Sequence, residues 1–222
     1  MFKKGILLTL VVIIVLFSFS GCKKDREYDE AEALIAAKTL IEKSEKINEL
    51  FYGKGIAIID DKSYANGNYY MADPLSVEQY GISTVDDMKE LVRECFTSSY
   101  SNLVINTTLS SVSDDSGIQG LARYYQKLSA LDDSPECIMV LNDSERVMLK
   151  DTVEYKYDTV RVIGSEGDHV KVTIDVTVIN PDNKTQDKTL EIKLLEENGE
   201  WRIDSPTYTR YTEDMEIQKG ID

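Results

Sequence analysis

Few residues of this chain have the types and spacing that catalysis requires. His169 is the only histidine, and the turn residues Gly167 and Asp168 precede it, so we expect its ring to be solvated. Cys95 and Cys137 lack CxxC spacing, and no motif pairs either thiol with His169 as a base. The sequence contains no Gly-x-Ser-x-Gly elbow, glycine-rich phosphate loop or HExxH motif. We therefore predict that the protein is not an enzyme and needs no cofactor.

Acidic doublets are the remaining candidate metal ligands. They are Asp60-Asp61, Asp86-Asp87, Asp114-Asp115 and Asp132-Asp133. None has the spacing of a calcium-binding loop, so we interpret them as solvated loops and helix starts and predict no metal site.

The N-terminal segment predicts export and lipid attachment. The basic residues Lys3 and Lys4 precede an apolar run from Ile6 to Phe19, which has the length of a signal-peptide core and is short for a membrane span. The run ends in Phe19-Ser20-Gly21-Cys22, which resembles the lipobox of bacterial lipoproteins. The resemblance implies cleavage after Gly21 and acylation of the Cys22 sulfur, which would anchor the protein to the outer face of the cell membrane. A cleaved secretory signal with an incidental cysteine and an uncleaved anchor are the alternatives.

The charge of the chain limits its partners. Without Lys3 and Lys4, the mature chain has 23 basic and 40 acidic residues, a formal net charge of −17. Such a chain repels phosphates, so nucleic acid is excluded as a partner, and the acyl chains must hold it on an anionic membrane. A basic extracellular protein is the predicted partner. Outside the cell, a disulfide between Cys95 and Cys137 is permitted, and two separately buried thiols are the alternative.

Three long strands are predicted between Val153 and Tyr208. Apolar residues alternate with polar ones in two runs, Val170–Val178 and Leu190–Leu194, which is typical of half-buried strands. Asn198-Gly199 then predicts a hairpin into Trp201-Arg202-Ile203, because both turn residues tolerate positive φ. An antiparallel sheet with one apolar face follows from this pattern.

The helices that must cover this face are predicted earlier in the chain. An apolar stripe predicts a helix from Asp29 to Tyr52, with a coiled coil as the alternative. Thr84 and Asp87 resemble a capping box at the start of a second helix, and Thr97 caps a third. Shorter strands are predicted in Ile56–Ile59, Tyr69–Met71, Leu121–Leu128, Cys137–Val140 and Arg146–Leu149, with a helix as the alternative for Leu121–Leu128. Asp60–Asn68 is predicted to be a turn-rich polar loop that joins the first two strands in a small hairpin, and Ser110–Gly117 is predicted to be a second polar loop.

This order of elements resembles the cone-shaped fold of the nuclear-transport-factor-two-like, or SnoaL-like, superfamily. Three features also resemble the secreted DL-endopeptidase inhibitor family, often called IseA. They are Asn66-Gly67-Asn68-Tyr69-Tyr70, the helix pair Thr84–Thr97 and the late Gly199-x-Trp201 strand. The superfamily resemblance implies an α+β fold in which N-terminal helices pack on a strongly bent antiparallel sheet. The family resemblance implies a protein that binds and blocks a peptidoglycan-cleaving cysteine endopeptidase, with the two polar loops as candidates to enter its cleft.

A cone fold also implies a cavity between sheet and helix. Tyr155, Tyr157, Trp201 and Tyr208 are predicted to line it, with simple core packing of these rings as the alternative. The predicted domains are a signal peptide (1–21), a tether (22–28), one α+β domain (29–212) and a C-terminal tail (213–222). Two functions remain: a lipid-anchored binding module that inhibits a wall hydrolase, or a cone-fold enzyme or small-ligand carrier that uses the cavity.

Overall fold

The computed structural model describes residues 27–64, 68–110, 112–114, 117–120, 122–128, 136–142 and 151–208. Within them are four helices: α1 (Glu30–Tyr52), α2 (Pro74–Gln79), α3 (Val85–Cys95) and α4 (Ser98–Thr108). The strands are β1 (Ile58–Tyr64), β2 (Tyr69–Ala72), β3 (Val112–Asp114), β4 (Gly117–Gly120), β5 (Tyr124–Lys127), β6 (Cys137–Leu141), β7 (Thr152–Glu166), β8 (His169–Ile179), β9 (Thr185–Glu197) and β10 (Glu200–Ile203).

The strands form two antiparallel four-stranded sheets. One has the order β1-β2-β6-β5 and the other β10-β9-β8-β7, while β3 and β4 pair separately. The predicted α+β class with antiparallel strands is therefore confirmed. The predicted β8 alternation is also confirmed, since the five residues of its predicted apolar face are buried: Val170, Val172, Ile174, Val176 and Val178. Asn198 and Gly199 adopt φ values of 56° and 83° between β9 and β10, as the hairpin prediction requires.

The predicted polar loops are partly strand. β1 continues through Asp60 and Asp61 to Tyr64, and β3 lies inside the stretch predicted to be a loop from Ser110 to Gly117. Both predictions were wrong because backbone pairing does not require apolar side chains, so polar composition alone does not exclude a strand. The predicted strand Arg146–Leu149 and the residues beyond Tyr208 lie outside the described part of the chain.

The two ends of α1 are fixed by side chains. At its start, Asp29 Oδ1 accepts hydrogen bonds from the N–H groups of Ala31 and Glu32 at 2.9 and 3.0 Å. At its end, the buried guanidinium of Arg123 donates to the carbonyl oxygens of Phe51 and Gly53, both at 2.6 Å. These carbonyls have no partner within the helix, so Arg123 supplies the hydrogen bonds and positive charge that a helix C-terminus favours.

The neighbouring Tyr124 holds the same helix end. Its fully buried hydroxyl donates to Leu50 O at 2.6 Å and accepts from the N–H of Ile56 at 3.2 Å. Together Arg123 and Tyr124 fix the last turns of α1, which carry the acidic residues of the candidate site.

A large irregularity in β7 positions the aromatic residues opposite α1. Between Lys156 and Arg161 the register with β8 shifts, so several β7 residues lie opposite Ile174 alone. Thr159 stabilises this bulge: its hydroxyl donates to Lys156 O at 2.7 Å and accepts from the N–H of Asp175 at 2.8 Å. Bulges of this kind redirect side chains. Tyr157 lies at the start of the bulge and contacts α1.

Candidate functional site

Tyrosines of β7 meet acidic residues of α1 on one surface. Tyr157 Oη donates to Glu45 Oε2 at 2.5 Å, and Tyr155 Oη donates to the carbonyl oxygen of Thr207, also at 2.5 Å. We call the surface formed by Glu45, Glu49, Tyr155, Tyr157 and Tyr208 the tyrosine–acid face. It contains three of the four aromatic residues that the sequence predicted to line a cavity.

Trp201, the fourth predicted residue, lies elsewhere. It is on β10, where it pairs with Glu196 of β9 and lies on the same side of the strand as the buried Ile203. Its half-buried ring packs against the main apolar core and lines neither cavity described below. Tyr208, by contrast, follows β10 and packs against Tyr52 of α1, with ring centroids 4.9 Å apart at 36°.

Two cavities flank the acidic ridge of α1. The first, which we call the α1–β7 cavity, has a volume of about 640 Å³ and includes Tyr155 and Tyr208 in its wall. The second has a volume of about 560 Å³, with Tyr80 and Tyr157 in its wall. Glu45 and Glu49 line both cavities. These volumes lie within the range of ligand pockets, so the face has room for a long side chain or a small molecule.

The acidic residues of this face lie where the helix disfavours negative charge. Glu42, Glu45 and Glu49 follow one another at helical spacings of three and four residues, at which like charges repel. The last turn of α1 contains no basic residue, although the C-terminal end of a helix dipole is negative. Among the described residues, neither Glu45 nor Glu49 forms an ion pair, and their recorded donors are the Tyr157 hydroxyl and the N–H of Lys54. A cation in either cavity would relieve this repulsion.

Burial raises the pKa of three tyrosines in the walls of the two cavities, Tyr80, Tyr155 and Tyr157. Burial raises the pKa of Tyr155 to about 12, against a weaker opposing effect of the hydrogen bond from Asn48. Burial and then the charge of Glu49 raise the pKa of Tyr80 to about 12. Burial, followed by the hydrogen bond to Glu45, raises the pKa of Tyr157 well above its ordinary value. These residues therefore act as neutral hydroxyl donors and aromatic surfaces, not as bases.

Asn48 provides a buried polar group in the wall of the α1–β7 cavity. It is 8% exposed, and its Nδ2 atom donates to the fully buried Thr207 Oγ1 at 2.9 Å. Within the described ranges, no donor is recorded for its Oδ1 atom. A buried acceptor without a donor is costly, so this oxygen favours a ligand or water that carries N–H or O–H groups.

His169 belongs to a different cluster, and the expectation that it is merely solvated was wrong. Its Nε2 atom lies 2.8 Å from Asp204 Oδ2, and Thr97 Oγ1 donates to Asp204 Oδ1 at 2.5 Å. In a nucleophilic triad the histidine lies between the hydroxyl and the carboxylate, whereas here the carboxylate lies between the other two. Histidine therefore has no contact that could activate Thr97, and the cluster instead joins β8, the end of β10 and the start of α4.

The cysteines do not form a disulfide. Cys95 and Cys137 are both free thiols. Cys95 is fully buried and donates to Leu40 O at 3.4 Å, and burial raises its pKa to about 12. Cys22, the predicted lipid attachment site, lies outside the described residues.

Two kinds of feature are absent from the residues that the structure describes. No group of three or more His, Cys, Asp and Glu side chains there has an arrangement that could hold a metal ion. No helix in that part of the chain is long and apolar enough to cross a membrane.

Sequence reasoning missed the helix residues of the site. Glu45 and Glu49 lie outside the apolar stripe that predicted the helix, and nothing local in the sequence places them beside β7. Asn48 offered a signal, since it lies directly after Ile47 on the buried side of α1. A polar residue in that position suggests a buried hydrogen bond.

Comparison of the chain with protein-family models, curated proteins and solved structures gave no match.

Proposed function

We propose that the protein is a lipid-anchored extracytoplasmic binding module that holds a basic protein partner. The observation that carries the proposal is the tyrosine–acid face, where Glu45 and Glu49 have no cationic partner among the described residues. Two carboxylates bordered by aromatic rings suit a lysine or arginine side chain, because charge and ring face both attract a cation. The acidic charge of the whole chain would steer a basic partner to this face.

The anchoring part of the proposal rests on the N-terminal sequence. Lys3, Lys4, the apolar run from Ile6 to Phe19 and Cys22 together resemble a lipoprotein signal. Two acyl chains on Cys22 would give stable attachment to the membrane. The binding face would then stand outside the cell, within reach of envelope proteins.

We also propose that α1 and the β10-β9-β8-β7 sheet form a cone-like unit. Contacts between α1 and this region support it, namely Tyr157 with Glu45 and Asn48 with Thr207. The main apolar cluster contains buried residues from α1, α3, α4 and both four-stranded sheets. One domain spanning residues 29–212 is consistent with such a shared core.

The partner that we propose is a DL-endopeptidase of the cell wall, which the protein would inhibit. The resemblance to the inhibitor family supports this choice, and the face described above would contact a basic region of the enzyme. The test is inhibition of a purified wall cysteine endopeptidase by the protein, extracted from membranes in mild detergent, at low and high salt. We expect inhibition at low salt that weakens at high salt, because salt screens exposed charges. No binding and no inhibition at low salt would reject the proposal.

A small-ligand carrier is the second candidate function. The volume of the α1–β7 cavity, about 640 Å³, favours it. Saturable binding of a small amine, together with no binding to wall enzymes, would support the carrier over the inhibitor.

A further inference from the structure

We infer that the α1–β7 cavity binds one alkylammonium or guanidinium group, as lysine and arginine side chains present it. The inference deepens the proposed function and rests on it, since it assigns the site through which a basic partner would be recognised. The same chemistry occurs in free polyamines, so the experiment must distinguish the two sources.

The charge of the cavity wall selects for a cation. Glu45, Glu49 and Asp151 contribute three carboxylates to the wall, and Lys54 contributes the one ammonium group among its described residues. The Glu45 and Glu49 carboxylates accept hydrogen bonds from a hydroxyl and a backbone N–H. These are neutral donors, so the negative charge of both residues remains available to a ligand.

The hydrogen-bonding groups in the wall select for a ligand that donates. Asn48 is more than nine-tenths buried and lines the cavity, with no donor recorded for its Oδ1 atom within the described ranges. Tyr155 uses its hydroxyl hydrogen on Thr207 O and accepts a hydrogen bond from Asn48, which leaves one oxygen lone pair and its ring face for other contacts. Ammonium and guanidinium groups have donors and no acceptors, so they match a wall of carboxylate, amide and phenol oxygens.

The aromatic rings favour a cation over a neutral donor. Tyr155 and Tyr208 both line this cavity, so two aromatic rings contribute to its wall. A cation held near ring faces gains attraction from the ring quadrupole, which a neutral amide does not. The aliphatic part of a lysine or arginine side chain would also lie against these rings.

The test is a titration of the protein, purified from membranes in mild detergent, with small probes followed by NMR. The probes are lysine and arginine, each capped as acetyl and methylamide, with capped norleucine as the uncharged match and putrescine as the free amine. We expect saturable shifts in the Asn48 side-chain amide and in the tyrosine rings with both capped cations, and none with norleucine. Tighter binding of putrescine than of capped lysine would assign the cation to free polyamines. Equal shifts with norleucine and lysine would overturn the inference.

Variants distinguish the cavity from general surface charge. The double variant Glu45→Gln with Glu49→Gln should weaken capped-lysine binding at least about tenfold, because it removes the two charges and keeps similar shapes. Glu154→Gln is the control for a carboxylate neutralised elsewhere, since Glu154 is exposed on β7 and adjacent strand residues point to opposite sides, away from Tyr155. It removes one charge where the double variant removes two. Unchanged affinity in the double variant would overturn the inference.

A variant with the opposite expected effect excludes simple misfolding. Tyr157→Phe keeps the ring and removes the hydroxyl that donates to Glu45. It should therefore bind capped lysine at least as tightly as the wild type does, and loss of binding in a folded Tyr157→Phe protein would contradict the inference. If the double variant still binds a wall endopeptidase like the wild type, the cavity inference fails; binding of a basic partner then stands, but its assignment to the tyrosine–acid face does not. If the probes bind but no basic protein does, the cavity inference stands and the proposed function fails.

Discussion

The carboxylate of Asp87 forms hydrogen bonds with backbone N–H groups at the start of α3. Its Oδ2 atom accepts hydrogen bonds from the N–H groups of Ser83 and Thr84, both at 2.8 Å. The Oγ1 atom of Thr84 in turn accepts a hydrogen bond from the N–H of Asp87 at 3.1 Å. This is the capping box that the Thr84 and Asp87 spacing predicted. The two backbone hydrogen bonds lower the pKa of Asp87 below its ordinary value of 3.8.

This lowered pKa predicts a pH-dependent contribution to stability. A group whose pKa is lower in the folded state stabilises the fold above its unfolded pKa, and the contribution is lost as pH falls through the folded value. Asp87→Asn should therefore lose less stability than the wild type between about pH 6 and about pH 2. Urea unfolding midpoints at both pH values measure the difference. Asp86→Asn is the control, since Asp86 pairs with Lys89 on the surface. Identical pH dependence in wild type and Asp87→Asn would contradict this account.

Single residues show where local sequence patterns are sufficient. The capping box involves residues three apart, so the sequence alone predicted it. The pairing of His169 with Asp204 joins residues 35 positions apart, and that of Tyr157 with Glu45 joins residues 112 apart. No local pattern specifies such partners, which meet only after the strands and helices have packed.

At the scale of elements, the end of α1 depends on a glycine. Gly55 has φ of +65°, which favours glycine, and a Cβ atom there would lie 2.2 Å from Tyr124 Oη and 2.6 Å from Arg123 Nη2. These are the groups that bind the final carbonyls of α1. A side chain at this position would displace them and with them the helix end beside the tyrosine–acid face.

Gly55→Ala should lower the free energy of unfolding by about 2 kcal/mol or more, from overpacking added to backbone strain. Gly81→Ala is the matched control, because Gly81 has a similar φ of +68° and nothing lies within 4 Å of its added Cβ. It isolates the strain, which costs about 1 kcal/mol. Chemical denaturation measures both values. Equal losses in the two variants would show that the Arg123 and Tyr124 contacts contribute little.

The sequence specified some elements better than others. The alternation in β8 repeats every two residues, and the Asn198-Gly199 turn spans two residues. Both are therefore local patterns, and both were confirmed. Asp73-Pro74 is a dipeptide typical of a strand break, and in the structure Asp73 also caps α2 and Pro74 is its first residue. The two residues can both end a strand and start a helix, since proline suits a first helical turn. The β7 bulge could not be predicted, because it depends on a hydrogen bond that the N–H of Asp175 on β8 donates to Thr159 Oγ1.

At the scale of the whole molecule, the account requires an anchor. Cys22→Ala should move the protein from the membrane fraction to the soluble fraction once the signal is cleaved, because no acyl chains could attach. Fractionation of cells, followed by detection of the protein in each fraction, measures this. Lys23→Ala serves as a control for an altered residue at the start of the mature chain. Continued membrane association of the cleaved Cys22→Ala protein would contradict the lipid anchor.

We propose that the anchored protein captures a basic partner through the tyrosine–acid face. The most direct measurement is the binding of a purified wall endopeptidase to vesicles that carry the lipidated protein, as wild type, as the Glu45→Gln and Glu49→Gln double variant, and as Glu154→Gln. The account predicts salt-sensitive binding to wild type and Glu154→Gln, and binding at least about tenfold weaker to the double variant. Equal binding to all three proteins, or no binding at low salt, would contradict it.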